Sequence, residues 1–262
     1  MHGTAFHPRW FFVAGVLVAA GLLSAGGCRS KEAGSKEQGN LLILCGKSLR
    51  PPMETLVKQF EQQTGSQVEM SFGGSEELLP HVKLQSQGDL YVAHDPFIDD
   101  TKAAGSLLRA VPVGEMVLVL VVKKGNPLGI KRIEDLARPG VRVILPDPQY
   151  ATAGQMVVEV LKKKGIYDAV MKNVGNALVR SHSEVADHIR LGHRDAGMMW
   201  NGVAGGWSGD LEVVPAPAEY SKPAQVAVMG LSYSKRLAQV EQFLKFTEAH
   251  GRKVFAAAGY VK

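Results

Sequence analysis

The sequence contains little cysteine and no concentration of charge of one sign. Cys28 and Cys45 are the only cysteines among 262 residues, so the fold must rely on its apolar core rather than on disulfide bonds. Lysine and arginine total 30 against 25 acidic residues, but these basic residues form no stripe with interleaved aromatic residues. This distribution argues against a nucleic-acid-binding protein.

The sequence also lacks the motifs of several enzyme classes. Lys47 and Ser48 have no upstream glycine at the spacing of a nucleotide phosphate loop, and no Gly-x-Ser-x-Gly segment supplies a hydrolase nucleophile. His94 with Asp95 is the one candidate acid–base pair. We therefore expect a protein that is not an enzyme and has no catalytic residues.

Histidines are present, but their spacing does not predict a cation site. His182 and His188, with Asp187 and His193 nearby, would lie on different faces of one helix, which favours solvated side chains over metal ligands. Cys45 ends an apolar run and is interpreted as a small buried core residue rather than a redox thiol. The sequence thus predicts no cation ligands and no cofactor.

Residues 1–28 have the pattern of a targeting segment. A basic start is followed by an apolar run at 10–23, which is short for a membrane-spanning helix. Small residues then lead to Cys28, which resembles a bacterial lipoprotein signal whose cysteine becomes the lipidated N-terminus; a plain cleaved signal is the alternative. Residues 29–40 are polar and small and are predicted to be a flexible tether. We expect the folded part to face a periplasmic or extracellular space while anchored to a membrane.

Three strand–turn–helix junctions organise the remaining chain. The apolar run 41–45 predicts a buried strand that breaks at Gly46 and reaches Ser48 before a helix. The second junction places Ser75 between a strand and a helix, and the third places Ala153 there. Free N–H groups and the helix dipole favour an anion at such positions, so the three junctions together predict an anion site. For any single junction, a serine that merely caps its helix is the alternative.

Two acidic residues follow the second junction directly. Glu76 and Glu77 suit the first turn of a helix, where negative charge is favourable. Because they would oppose an anion at the same place, they are predicted to face away from the site.

Alternating strands and helices predict an α/β fold with helices on both faces of mixed, mostly parallel sheets. A long apolar run at 114–123 and a second at 226–229 predict two crossover segments between two lobes. Lobe one is expected to hold 41–115 plus 225–262, and lobe two 116–224. Ligands of open α/β sheets bind at the carboxyl ends of the strands, so a cleft between the lobes is expected to hold the ligand.

Five segments resemble, in order and spacing, the molybdate-binding periplasmic proteins of ABC transporters, which are type II solute-binding proteins. The resemblance covers 41–262 and implies the two-lobed periplasmic-binding-protein fold. The segments are Gly-Lys-Ser-Leu at 46–49, Ser-Phe-Gly-Gly-Ser at 71–75, Gly-Asp-Leu-Tyr-Val-Ala-His-Asp at 88–95, Pro-Asp-Pro at 146–148 with Thr-Ala-Gly at 152–154, and Ala-Gly-Met-Met-Trp at 196–200.

The resemblance also implies a set of oxyanion ligands. Ser48 and Ser75 match serines that donate a hydroxyl and a backbone N–H, and Ala153 matches a backbone donor from the second lobe. Val185 matches a second backbone donor at a helix start. Trp200 stands where the family has a tyrosine whose hydroxyl donates.

Two further positions depart from the pattern of the family. Lys47 and His94 replace small residues and are possible additional ligand contacts. Lys47 would strengthen anion binding without specificity, and His94 would make binding depend on pH near neutrality.

The resemblance implies a lipid-anchored, monomeric solute-binding protein. It would capture a tetrahedral oxyanion, molybdate or tungstate, and deliver it to the membrane permease of an ABC transporter. A second hypothesis is a sensory or accessory binding lipoprotein of the same fold, with another small anion or a metal chelate as its ligand.

Overall fold

The computed structural model describes residues 39–214 and 222–260. The signal predicted at 1–28, its lipidation site Cys28 and most of the tether predicted at 29–40 lie outside the described residues. Among the residues that are described, no helix is long and apolar enough to cross a membrane.

Two sheets of five strands form the centre of the fold. The first has the order β2-β1-β3-β10-β4 and the second the order β7-β6-β8-β5-β9. The strands are β1 Leu41–Gly46, β2 Val68–Gly73, β3 Leu90–His94, β4 Leu107–Met116, β5 Leu118–Lys123, β6 Val143–Pro146, β7 Leu178–Val179, β8 Ala196–Trp200, β9 Leu211–Val214 and β10 Ala224–Leu231.

Helices cover both sheets, which confirms the predicted α/β class with two mixed sheets. They are α1 Arg50–Thr64, α2 Ser75–Leu84, α3 Phe97–Ala103, α4 Thr152–Lys163, α5 Tyr167–Val174, α6 His182–Arg190, α7 Asn201–Gly205 and α8 Leu237–Ala257. In each sheet two strand pairs are parallel and two are antiparallel, so the pairing is evenly mixed rather than mostly parallel.

The chain passes between the sheets at Val117. The apolar run at 114–123 is divided there, because β4 ends at Met116 in the first sheet and β5 begins at Leu118 in the second. The prediction that the run at 226–229 is the return crossing is wrong. This run lies inside β10, which pairs with β3 and β4 of the first sheet. The connection from β9 to β10 includes 215–221, outside the described residues.

The core contains the apolar residues of these strands and the inner faces of the helices. Cys45 is fully buried, as predicted, and burial raises the pKa of its thiol far above the ordinary value. Phe60 of α1 packs edge-on against Phe243 of α8, with 4.8 Å between ring centroids. This contact packs α1 against α8.

Candidate anion-binding site

A cleft with a volume of about 390 Å³ lies where the carboxyl ends of six strands meet. Three of these strands, β1, β2 and β3, belong to the first sheet, and β6, β7 and β8 belong to the second. The lining comprises Gly46, Lys47, Ser48, Leu49, Gly74, Ser75, Glu76, Glu77, His94, Tyr150, Ala151, Thr152, Ala153, Arg180, Ser181, His182, Ser183, Glu184, Trp200 and Val203. The predicted position of the site, at strand ends between two sheets, is thus where the structure has its cleft.

The first two junctions lie against each other. Ser48 lies in a single 3-10 turn, Lys47–Leu49, and Ser75 is the first residue of α2 and only 5% exposed. A Cβ atom added at Gly46 would lie 2.8 Å from Ser75 Oγ, so only glycine allows this approach. The Tyr260 hydroxyl donates to the Ser48 carbonyl, and the Tyr91 hydroxyl donates to the Ser75 carbonyl at 2.8 Å. Backbone contacts therefore fix both serines and leave their hydroxyl groups for a ligand.

The third junction enters from the second sheet. Thr152 and Ala153 open α4, where the first N–H groups have no acceptor within the helix. A Cβ at Gly154 would lie 2.5–2.7 Å from backbone atoms of the 146–148 segment, so this glycine lets α4 begin directly on the end of β6. The start of α4 is thereby aimed into the cleft.

A fourth helix start corrects the predicted position of one donor. Val185 was expected at the start of a helix, but α6 begins at His182 and Ser181 is its N-cap. The Val185 N–H donates to the Ser181 carbonyl at 3.4 Å, and Val185 is fully buried outside the cleft lining. His182 and Ser183 instead present the first N–H groups of α6 to the cleft. The capping box formed by Ser181 and Glu184 is the sequence signal that locates this start.

Two histidines flank Trp200 on the floor of the cleft. Trp200 is 2% exposed, and its ring centroid lies 5.5 Å from that of His94 and 6.2 Å from that of His182. Burial lowers the pKa of His94 and lowers that of His182 to about 4. Burial thus favours the neutral form of both rings, which argues against a His94 charge that changes near neutral pH. The interpretation of His182 as a solvated side chain is wrong, since its Nδ1 atom is buried without a hydrogen-bond partner.

His94 and Asp95 do not form a catalytic pair. His94 Nδ1 donates to the Asp95 backbone carbonyl at 2.7 Å. The Asp95 carboxylate instead accepts the Gln225 backbone N–H at 3.0 Å. The carboxylate thus holds backbone structure and does not orient the ring. In the part of the chain that the structure describes, no cluster of three or more His, Cys, Asp and Glu residues could bind a metal ion.

Charged side chains also line the cleft. Lys47 lies 3.8 Å from Glu77, and both side chains are about 60% exposed, so solvent screens this ion pair. Arg180 lies over the ring of Tyr150, with 3.7 Å from the guanidinium carbon to the ring centroid. The sequence analysis did not identify Arg180, because only the fold brings it to Tyr150.

The predicted outward orientation of Glu76 and Glu77 is wrong. Both line the cleft, and Glu77 accepts the Gly74 backbone N–H at 2.9 Å. Glu76 Oε1 reaches across to the second sheet, where it accepts the Thr152 backbone N–H at 2.6 Å and the Thr152 hydroxyl at 2.5 Å. A carboxylate thus already occupies part of the N-terminus of α4.

Comparisons with known proteins agree with this geometry. The family model described as bacterial extracellular solute-binding protein matches residues 41–261. The molybdate-binding protein ModA of Mycobacterium tuberculosis is 26% identical over 266 residues, covering 97% of this chain and 99% of that protein.

Solved structures of similar fold include a molybdate-binding and a sulfate-binding protein. The periplasmic molybdate-binding protein of Azotobacter vinelandii has a TM-score of 0.69 and 22% identity, covering 85% of this chain and 99% of that chain. The sulfate-binding protein SubI of Mycobacterium tuberculosis has a TM-score of 0.68 and 21% identity, covering 84% of this chain and 86% of that chain. Both likenesses confirm the periplasmic-binding-protein fold. Because the family model spans nearly all of the folded region, the chain belongs to the family of bacterial extracellular solute-binding proteins.

Proposed function

We propose that this protein captures a tetrahedral oxyanion, molybdate or tungstate, in the cleft between its two sheets and delivers it to the permease of an ABC transporter. The observation that carries the proposal is the convergence of Ser48, Ser75 and the N-terminus of α4 on one cavity. Membership in a family of binding proteins confirms that the chain is not an enzyme. The same membership is consistent with the expectation that the protein has a ligand and no cofactor.

The chemistry of the lining supports an anion as the ligand. Hydroxyl and N–H groups converge there with the positive ends of two helices, α4 and α6, and such neutral dipoles stabilise an anion without a full counter-charge. Arg180 and Lys47 add positive charge at the mouth of the cleft. The molybdate-binding relatives named above support molybdate in particular.

Within this proposal, each predicted ligand residue has a role. Ser48 and Ser75 donate hydroxyl groups from the first sheet, and Ala153 donates its backbone N–H from the second. The Trp200 indole closes the floor of the cleft, and its ring N–H replaces the hydroxyl donor of the family. His182 takes the donor role that was predicted for Val185.

Calorimetric titration of the purified protein with molybdate, tungstate, sulfate and phosphate tests the proposal. We expect molybdate and tungstate to bind more tightly than sulfate and phosphate. If none of the four anions released or absorbed heat and none shifted the melting temperature, the oxyanion function would be refuted.

We further propose that the protein is a monomer and that Cys28 carries a lipid. Its two lobes, 41–115 with 225–262 and 116–224, would close around the ligand. Replacing Cys28 with alanine should move the protein from the membrane fraction to the soluble fraction of bacterial cells. An unchanged membrane fraction would contradict the lipid anchor.

The alternative role is that of a sensory or accessory binding lipoprotein. The carboxylates in the cleft favour this candidate, because they would suit a cationic chelate better than a bare dianion. Uptake of molybdate by cells with and without the gene separates the two roles, since only a transport protein changes the rate of uptake.

A further inference from the structure

Among the described residues, Glu76 is the one acidic side chain that lines the cleft and forms a hydrogen bond across it to the second sheet. Its Oε1 atom accepts two hydrogen bonds from Thr152, at 2.6 Å from the backbone nitrogen and 2.5 Å from the hydroxyl. Thr152 is the first residue of α4 and precedes Ala153, whose N–H is a proposed ligand contact. The Glu76 carboxylate therefore lies at the helix end that would otherwise attract a bound anion.

The position of Glu76 in α2 also places it beside the donors of the first sheet. Glu76 follows Ser75, the first residue of α2, so its backbone lies beside a proposed hydroxyl donor of the first sheet. The side chain thus connects the two groups of donors that are proposed to enclose the ligand. A carboxylate held by N–H and O–H donors uses the same kind of hydrogen bond that an oxyanion would use.

We propose that the Glu76 carboxylate is a resident anion of the cleft, which competes with the ligand for the N-terminus of α4 and weakens the binding of fully deprotonated oxyanions. This inference rests on the proposed function. In the structure the carboxylate accepts the Thr152 N–H and hydroxyl and links the two sheets. A dianion must displace it or bind beside it, and two like charges in a desolvated cleft repel each other.

The inference makes Glu76 a residue that determines specificity. A ligand that brings a proton toward position 76, as phosphate does at neutral pH, loses less from this charge than molybdate does. Replacing the carboxylate with an uncharged amide should therefore improve molybdate binding more than phosphate binding.

The chain offers a matched control on the same helix. Glu77 also lines the cleft and lies in the first turn of α2, but it bonds to Gly74 and lies near Lys47 instead of crossing to α4. Glutamine at position 77 can keep the bond to the Gly74 N–H, so Glu77→Gln removes the same charge without touching the bridge.

The first experiment measures the dissociation constant of molybdate by calorimetry, at pH 7.5, for the wild-type full-length chain, Glu76→Gln and Glu77→Gln. We expect Glu76→Gln to bind molybdate at least about tenfold more tightly than the wild type, and Glu77→Gln to stay within about threefold. Phosphate binding should tighten less than molybdate binding in Glu76→Gln.

Three other outcomes of this titration also decide the inference. If the wild type binds molybdate and Glu76→Gln binds it equally or more weakly, the bridge assists binding, and the inference fails while the proposed function stands. If neither the wild type nor Glu76→Gln binds any of the anions tested, both fail together. Binding by Glu76→Gln alone would support the inference most strongly, because the carboxylate would then block the site.

A second measurement tests the bridge without a ligand. Hydrogen exchange at the Thr152 amide should be faster in Glu76→Ala than in the wild type, because the acceptor is removed. Thr152→Ala provides a second variant should Glu76→Ala fold poorly, because it keeps the carboxylate but loses the hydroxyl donor. The amide at position 152 should then exchange faster than in the wild type, because the carboxylate is held less firmly. An unchanged exchange rate in the folded variants would show that the bridge does not form in solution and would overturn the inference.

Discussion

At the scale of single residues, we propose that the cleft recognises an anion mainly through oriented donors. Ser48 and Ser75 are held through their carbonyl groups by Tyr260 and Tyr91, which leaves their hydroxyl groups available. Their energetic contribution should therefore appear in ligand binding and hardly at all in stability.

Replacing Ser75 with alanine tests this separation of roles. The variant keeps the backbone and the bond from Tyr91 but loses one hydroxyl donor to a charged ligand, a bond worth about 1.5–3 kcal/mol. We expect molybdate to bind about 10- to 100-fold more weakly, with an unchanged free energy of unfolding in urea. Ser208→Ala, at an exposed serine outside the cleft, is the control. Equal affinities for Ser75→Ala and the wild type would remove Ser75 from the site.

The buried histidines predict how stability depends on pH. The pKa of His182 is about 4 in the folded state against about 6.5 in the unfolded chain, so the unfolded state binds more protons between these values. The stability that neutral His182 contributes is complete above about pH 6.5 and is lost as the pH falls toward 4. We expect this loss to reach on the order of 2 kcal/mol.

Urea unfolding at pH 7.5 and pH 4.5 measures that loss. His182→Gln cannot take up a proton, so its stability should fall less than that of the wild type over this range. His81→Gln, on α2 outside the cleft, should lose as much as the wild type. A loss in His182→Gln as large as that of the wild type would argue against the lowered pKa.

At the scale of elements, the site depends on how closely helices begin behind their strands. The chain turns from β6 into α4 in a space that admits no side chain at Gly154. Close packing of this turn sets the direction in which Thr152 and Ala153 point their N–H groups.

Gly154→Ala should disturb both stability and binding. Its Cβ would lie 2.5–2.7 Å from backbone atoms that cannot rotate away, so α4 must shift. We expect a loss of about 1–3 kcal/mol in unfolding free energy, together with weaker molybdate binding because the donors move. Gly209→Ala is the control, since no heavy atom lies within 4 Å of its added Cβ. Wild-type affinity and stability in Gly154→Ala would contradict this account.

At the scale of the whole molecule, a ligand held between the two sheets should stabilise the folded chain. Molybdate at a hundred times its dissociation constant should raise the free energy of unfolding by about 2.7 kcal/mol. For a chain of this size the melting temperature should rise by roughly 5–10 °C. Sodium chloride at the same ionic strength is the control, and an equal shift with both salts would indicate a nonspecific effect.

Much of the architecture could be predicted because it follows from local patterns. Apolar runs followed by glycine, serine and a helical period located the junctions at Ser48, Ser75 and Ala153, and the structure places all three in the lining of one cleft. Val185, which was taken from the family resemblance, lies in the second half of the first turn of α6, and its N–H donates to the Ser181 carbonyl. The role of each residue in binding stays a prediction.

The orientation of the charged residues could not be predicted in the same way. A glutamate in the first turn of α2 is compatible with the helix whichever way its side chain points. The local sequence therefore does not decide whether Glu76 faces solvent or α4. Likewise, Arg180 and Tyr150 are thirty positions apart, and only the packing of β6 against β7 brings them together.

The amino-acid sequence by itself determined the class of fold and the turns at which ligand donors are predicted, because these depend on short-range periodicity and on backbone conformations available to glycine and serine. Only the tertiary structure decided which side chains meet across the cleft. The burial of His94 and His182 and the bond from Thr152 to Glu76 arise from contacts between distant segments, and the free energy of such contacts depends on distance and solvent exclusion that no local pattern contains.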